Sequence, residues 1–147
     1  MRGLVSRLAV ATTVVLGCAP STSDGAEGAL EQGLVHSLNV HVEPEAVRFT
    51  LQLTNASGSA AVVTFPTAQR YDFVVETPAG AEVWRWSADR VFAQVVESDT
   101  LAAGATELYE AAWAVVGRRP GRYMAVGRVT SSSTPVELRT EFEIPES

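Results

Sequence analysis

The chain has 147 residues, is 46% hydrophobic and carries a formal net charge of −6 at pH 7. That length and apolar content supply one packed core and leave no room for a second full domain. Every one of the eleven cations is Arg and none is Lys; beyond residue 18, nine of them face seventeen acids, a balance of −8 that excludes the basic footprint nucleic acid demands.

The N-terminus carries the most specific local pattern. Arg2 and Arg7 are basic, Leu8 to Leu16 is an apolar stretch too short to cross a bilayer, and Val15-Leu16-Gly17-Cys18 closes it. This looks like a bacterial lipoprotein signal peptide over residues 1–17, whose lipobox sets a small residue before an acylated Cys. The plainer alternative is a secretory signal with a Cys beside its cleavage site by chance. On the lipoprotein reading Cys18 becomes a diacylglyceryl-cysteine. Because each buried CH₂ contributes about 0.8 kcal/mol, several acyl chains hold the protein durably on a membrane. The expected location is the cell envelope, lipid-anchored and facing outside the cytoplasm. Cys18 is the single thiol, so its lipidation leaves no disulfide, no Cys nucleophile and no thiolate metal site. Residues 18–33, rich in Ser, Gly, Ala and acids and free of aromatics, read as a flexible tether to a domain over 34–147.

From Leu34 the pattern turns to period two. Leu38, Val40 and Val42 alternate with Asn39 and His41, and Val47, Phe49, Leu51 and Leu53 alternate with Arg48, Thr50, Gln52 and Thr54. Asn55 to Ser59 is a turn, and Ala61 to Phe65 a short strand ending at Pro66. The densest aromatic stretch follows, from Phe65 to Gln94. Tyr71, Phe73 and Val75 share one strand face with Asp72, Val74 and Glu76 opposite; Thr77-Pro78-Ala79-Gly80 turns the chain; Trp84 and Trp86 then share a face. This hairpin is expected to anchor the core, so truncating Trp86 to Ala is expected to cost about 3–5 kcal/mol. Leu101 to Gly104 reads as a turn, Thr106 to Val115 as a strand carrying Tyr109 and Trp113, and Gly117 to Gly121 as a basic loop. Tyr123 to Val129 and Val136 to Ile144 complete the alternating runs. With no sustained period of 3.6, the pattern predicts an all-β, immunoglobulin-like antiparallel sandwich of about eight strands, a small barrel being the alternative.

Chemistry is hard to find. His36 and His41, the only imidazoles, stand at odd separation on opposite faces of one strand; they read as solvated strand histidines, and no metal site or triad follows. There is no Gly-x-Ser-x-Gly elbow, no phosphate-binding Gly-rich loop and no His-Glu-x-x-His, so neither an enzyme nor a cofactor is expected. Glu137, Glu141 and Glu143 share a face that reads as solubilising. Asp72, inside the aromatic cluster and in reach of Arg70, Arg85 or Arg90, reads as a structural carboxylate. Arg118-Arg119-Pro120 makes an exposed cationic tip and is a candidate binding loop.

At Gln69, Tyr71-Asp72-Phe73, Gly80, Val83-Trp84-Arg85-Trp86-Ser87 and Phe92-Ala93-Gln94, the sequence resembles the bacterial intracellular proteinase inhibitor (BsuPI) family. Thr54-Asn55, Phe65, Leu101, Gly104, Trp113 and Gly121-Arg122-Tyr123 extend the resemblance over about residues 36 to 130. It implies an immunoglobulin-like sandwich and inhibition of a subtilisin-type serine protease, with these motif residues serving as core and turn. Candidate inhibitory loops are Asn55 to Ala60, Ser87 to Arg90 and Gly117 to Gly121. The competing expectation is a non-catalytic cell-envelope module that binds another envelope protein.

Overall fold

The structure is a computed structural model and describes residues 26–31 and 33–146. It is all-β, with ten strands: β1 (Ala26–Glu31), β2 (Leu34–Val42), β3 (Ala46–Asn55), β4 (Ala61–Phe65), β5 (Tyr71–Glu76), β6 (Glu82–Arg85), β7 (Glu97–Leu101), β8 (Thr106–Ala114), β9 (Gly121–Val129) and β10 (Val136–Ile144). One sheet runs β1-β2-β3-β8, a second β10-β9-β5-β6, and β4 pairs with β7 in a short ribbon; every pairing is antiparallel. The two larger sheets form the immunoglobulin-like sandwich expected of the alternation.

The core follows from the period-two pattern. Val47, Phe49, Leu51 and Leu53 of β3 are all buried, and Arg48 between them is exposed. From the facing sheet Phe73, Val75, Ala125, Val129, Leu138, Phe142 and Ile144 fill the interior. The sheets interlock through aromatics: Phe49 stacks on Phe73 at 5.7 Å and on Trp84 at 5.8 Å, and meets Phe142 edge-on at 6.0 Å. Such pairs add to what their area alone contributes.

Several expectations need correction. The tether does not extend to residue 33, because Ala26–Glu31 pairs with β2 as an edge strand, Ala26 lying opposite Leu38. An edge strand is held by main-chain hydrogen bonds, which a low-apolar composition does not forbid. Leu101 ends a strand, Glu97–Leu101, and does not start the turn; the turn is Ala102 to Ala105, closed by Ala105 N–H donating to the Ala102 carbonyl at 3.0 Å. Residues 1–17 and Cys18 lie outside the described residues.

Strand β5 is buried on both faces. Asp72 and Val74, on the side away from the core, are only 4% and 1% exposed. Val74 lies opposite Arg85 on β6 and Val126 on β9, and Val126 lies opposite Arg139 on β10, so two valines sit in one cross-strand row between two arginines. The arginines are fixed by Arg85–Asp72, Arg85–Glu82, Arg139–Glu137 and Arg139–Glu76 pairs, with Arg128–Glu137 in the next row. As cross-strand neighbours in one row, their aliphatic stems cover the valines while the charged heads pair with carboxylates. Glu137, expected only to solubilise, is thus a bridge between Arg128 and Arg139, and Arg128 draws its carboxyl below the ordinary range.

The strand directions sort the loops. The 55–60, 66–70, 87–96 and 130–135 connections gather at the end where β3 stops, tied together by Thr130 N–H to the Arg70 carbonyl (3.0 Å) and Ser132 N–H to the Thr64 carbonyl (2.8 Å). Residues 43–45, 77–81 and 115–120 lie at the opposite end, where Val115 N–H donates to the Glu45 carbonyl at 3.0 Å.

Candidate functional site

The Tyr71-Asp72-Phe73 run and the Trp84-Arg85-Trp86-Ser87 run are neighbours in β5 and β6, and Asp72 joins them. One carboxylate oxygen accepts the Phe73 N–H at 2.9 Å and the Ser87 N–H at 3.2 Å. The other accepts the Ser87 hydroxyl at 2.7 Å and Arg85 Nη1 at 2.9 Å. Four donors on one buried carboxylate fix the point where the chain leaves the sheet. Arg85 is held charged by its bonds to Glu82 and then Asp72, and Glu82 is correspondingly drawn down by Arg85. Across the turn before β6, Gly80 takes φ 84° and donates its N–H to the Thr77 carbonyl at 2.9 Å.

Trp86 lies just past β6, its N–H on the Phe73 carbonyl at 2.9 Å and its ring stacked on Tyr71 at 4.2 Å. Tyr71 stacks in turn on buried Tyr109 at 4.9 Å. Burial raises the phenol pKa of both tyrosines; Arg90 partly opposes this at Tyr71, and Glu107 reinforces it at Tyr109. Trp84 and Trp86 are half-buried and pack against the core from its margin, since β6 is an edge strand. Trp113, in contrast, is 2% exposed at the centre, 5.6 Å from Tyr123.

Beyond Ser87 the chain runs to Glu97 without a strand or helix, and from Ala88 to Val96 every residue except Phe92 is exposed. Both ends of this segment are pinned. Arg90 lies over the Trp86 ring at 4.1 Å and its Nε donates to the Trp86 carbonyl at 3.1 Å; Phe92 packs on the same indole at 5.9 Å. Ala68 N–H holds the Ala93 carbonyl at 2.9 Å, and Gln94 Nε2 donates to the Phe92 carbonyl at 3.2 Å. At the far end Arg70 pairs with Glu97 and Asp99 while lying 4.4 Å over the Phe65 ring. Gln69 braces this support through Nε2 to the Tyr71 carbonyl at 3.0 Å, its own carbonyl accepting the Thr130 hydroxyl at 2.6 Å.

The other candidate loops differ. Asn55 is buried and spends its amide on its own turn and on the end of β7, donating to the Ser59 and Leu101 carbonyls at 2.8 and 2.9 Å and accepting the Ser57 hydroxyl at 2.7 Å. Arg118, Arg119 and Pro120 are exposed at the opposite end of the sandwich. There Tyr123 Oη donates to the Arg119 carbonyl at 2.8 Å, Arg118 lies 5.5 Å from the Trp113 ring, and Gly121 takes φ 130°, a conformation that favours glycine. The structure therefore does not bring the Arg118–Pro120 loop together with the 87–96 segment.

The histidines need one further correction. His41 is exposed as expected, but His36 is 3% exposed on the Leu34 and Leu38 face of β2, and burial lowers its pKa. Its Nε2 has no hydrogen-bond partner among the described residues. The contact of β10 with β2 comes from residues distant in sequence, so local pattern could not reveal this burial. Among the described residues no three His, Cys, Asp or Glu cluster as metal ligands.

The family model described as "BsuPI: Intracellular proteinase inhibitor" matches residues 34–134. Comparison with curated proteins gave no match. Among solved structures, β-glucosidase 3B from Thermotoga neapolitana in complex with glucose is 17% identical with a TM-score of 0.42, covering 74% of this chain and 15% of its own. β-Glucosidase from Kluyveromyces marxianus is 14% identical, TM-score 0.40, over 74% of this chain and 13% of its own. The chain thus spans only a small fraction of those enzymes. A DUF1425 family member from Shewanella sp. pv-4 is 12% identical, TM-score 0.37, over 84% of this chain and all of its own. Likeness at this level carries no inference about activity.

Proposed function

Because the chain belongs to the intracellular proteinase inhibitor (BsuPI) family, whose members are non-catalytic, we propose that it inhibits a serine protease by presenting the 88–96 segment to the protease cleft. The observation that carries this reading is the pairing of exposure with restraint. Nine residues belong to no strand and all but Phe92 are exposed, yet Asp72 grips one end and Arg70 the other. A segment held in its bound shape loses little entropy on docking, and its rigid ends disfavour the relaxation that follows cleavage. The 118–120 loop lies at the other end of the sandwich, so one cleft does not accept both.

The proposal includes a lipid anchor at Cys18, supported by the residues that precede it, which fixes the inhibitor on a membrane outside the cytoplasm. The full-length protein in detergent, assayed against subtilisin-type and chymotrypsin-type proteases, should inhibit at submicromolar concentration. No inhibition at micromolar concentration would sink the reading. Separately, Cys18→Ser should release the protein from the membrane fraction, and unchanged attachment would refute the anchor without touching the inhibitory assignment.

A further inference from the structure

The 88–96 segment has an apex, and its neighbours define which protease pocket it fits. Arg90 and Phe92 both turn down onto the Trp86 indole, the first through its guanidinium at 4.1 Å and a bond to the Trp86 carbonyl, the second through its ring. Between them Val91 is 100% exposed. An outward residue between two inward ones on one rigid support is the arrangement that delivers a single side chain to a concave site. Trp86 is itself immobilised by the Tyr71 stack at 4.2 Å and by its N–H on Phe73, so the apex is set by the framework.

Resting on the inhibitory reading above, we propose that Val91 is the primary specificity residue, and that the partner is a serine protease with a small aliphatic pocket. The chemistry separates this from the obvious competitor. Arg90 is the one cation between Ser87 and Glu97, and a protease with an acidic pocket would select it. Its guanidinium, however, is spent on the Trp86 face and carbonyl. Val91 meets none of these constraints: a branched aliphatic side chain with no packing role is free to leave water for an apolar pocket.

The test uses the full-length protein with three probes: pancreatic elastase (small aliphatic pocket), subtilisin (apolar cleft) and trypsin (acidic pocket). Wild type should inhibit elastase or subtilisin and leave trypsin active. Val91→Asp should weaken that inhibition on the order of 100-fold, and Val91→Arg should gain trypsin inhibition. Both variants should keep the wild-type melting temperature, since Val91 is fully exposed. Wild-type inhibition that survives Val91→Asp unchanged overturns the assignment of Val91 while leaving the inhibitory function standing. Trypsin inhibition by wild type that Arg90→Ala abolishes would assign the role to Arg90. Failure of wild type on all three proteases, together with failure of Val91→Arg on trypsin, overturns both.

Discussion

Removal of the Asp72 carboxylate tests whether the base of the exposed segment and the stability of the sandwich depend on the same group. The side chain is buried and accepts from Phe73, Ser87 twice and Arg85. Hydrogen bonds to a charged group contribute about 1.5–3 kcal/mol each, but four bonds to one acceptor do not add independently. Breaking a buried ion pair costs about 3–5 kcal/mol. Arg85 is 30% exposed and keeps Glu82 as a partner, so Asp72→Ala belongs at the lower end, about 3 kcal/mol. For a domain of this size that lowers Tm by about 12 °C. Urea unfolding followed by tryptophan fluorescence and circular dichroism measures it. Ser87→Ala alone should cost about 1 kcal/mol, and the double variant less than the sum because both act through one carboxylate. A loss below about 1 kcal/mol for Asp72→Ala would refute the assignment of Asp72 as the joint between β5 and β6.

Trp113→Ala should cost about 4 kcal/mol, whereas Trp86→Ala, on a half-buried ring, should cost about 2 kcal/mol and not the core value first expected; equal losses by urea midpoint would contradict the burial difference. His36 should make the fold acid-sensitive. Its pKa lies below the ordinary 6.5 because of burial, so the unfolded chain binds a proton that the folded state resists. The stability involved is intact above pH 6.5 and drains as pH falls below it. His36→Leu should therefore lose less stability than wild type between about pH 7.5 and 5.5; parallel losses would show that other groups govern the response. Arg139→Ala, which opens one side of the Val74 and Val126 row, should cost about 1 kcal/mol through lost cover and lost pairing, read as a shift in the urea midpoint.

The fold was legible where periodicity reports burial on a single face. β3 is the clearest case, since Val47, Phe49, Leu51 and Leu53 are all core. It was not legible where a strand carries no apolar rhythm, as in Ala26–Glu31 and Glu97–Leu101, which main-chain pairing with β2 and β4 places in the fold. Val74 shows a second blind spot, because its burial under arginine stems depends on β9 and β10. At the candidate site, Asp72 could be read as a carboxylate awaiting an arginine, and three were within reach in the sequence. Only the β5–β6 register selects Arg85. The inward turn of Arg90 and Phe92 onto Trp86 left no trace in composition, since nothing in the alternation says that the chain there forms no strand.

The path of the chain around residue 91 has a consequence for damage. The strands before it are β1 to β6 and those after it β7 to β10, and each sheet draws on both groups: β3 pairs with β8, β5 with β9, β4 with β7. A backbone cut at the apex would therefore produce two fragments woven through every sheet, with the new ends still gripped by Trp86 and Ala68. Such a nicked protein should migrate as one species in native gels and separate only in denaturant. Its two halves would also stay close enough for the severed bond to be resealed by the protease that cut it.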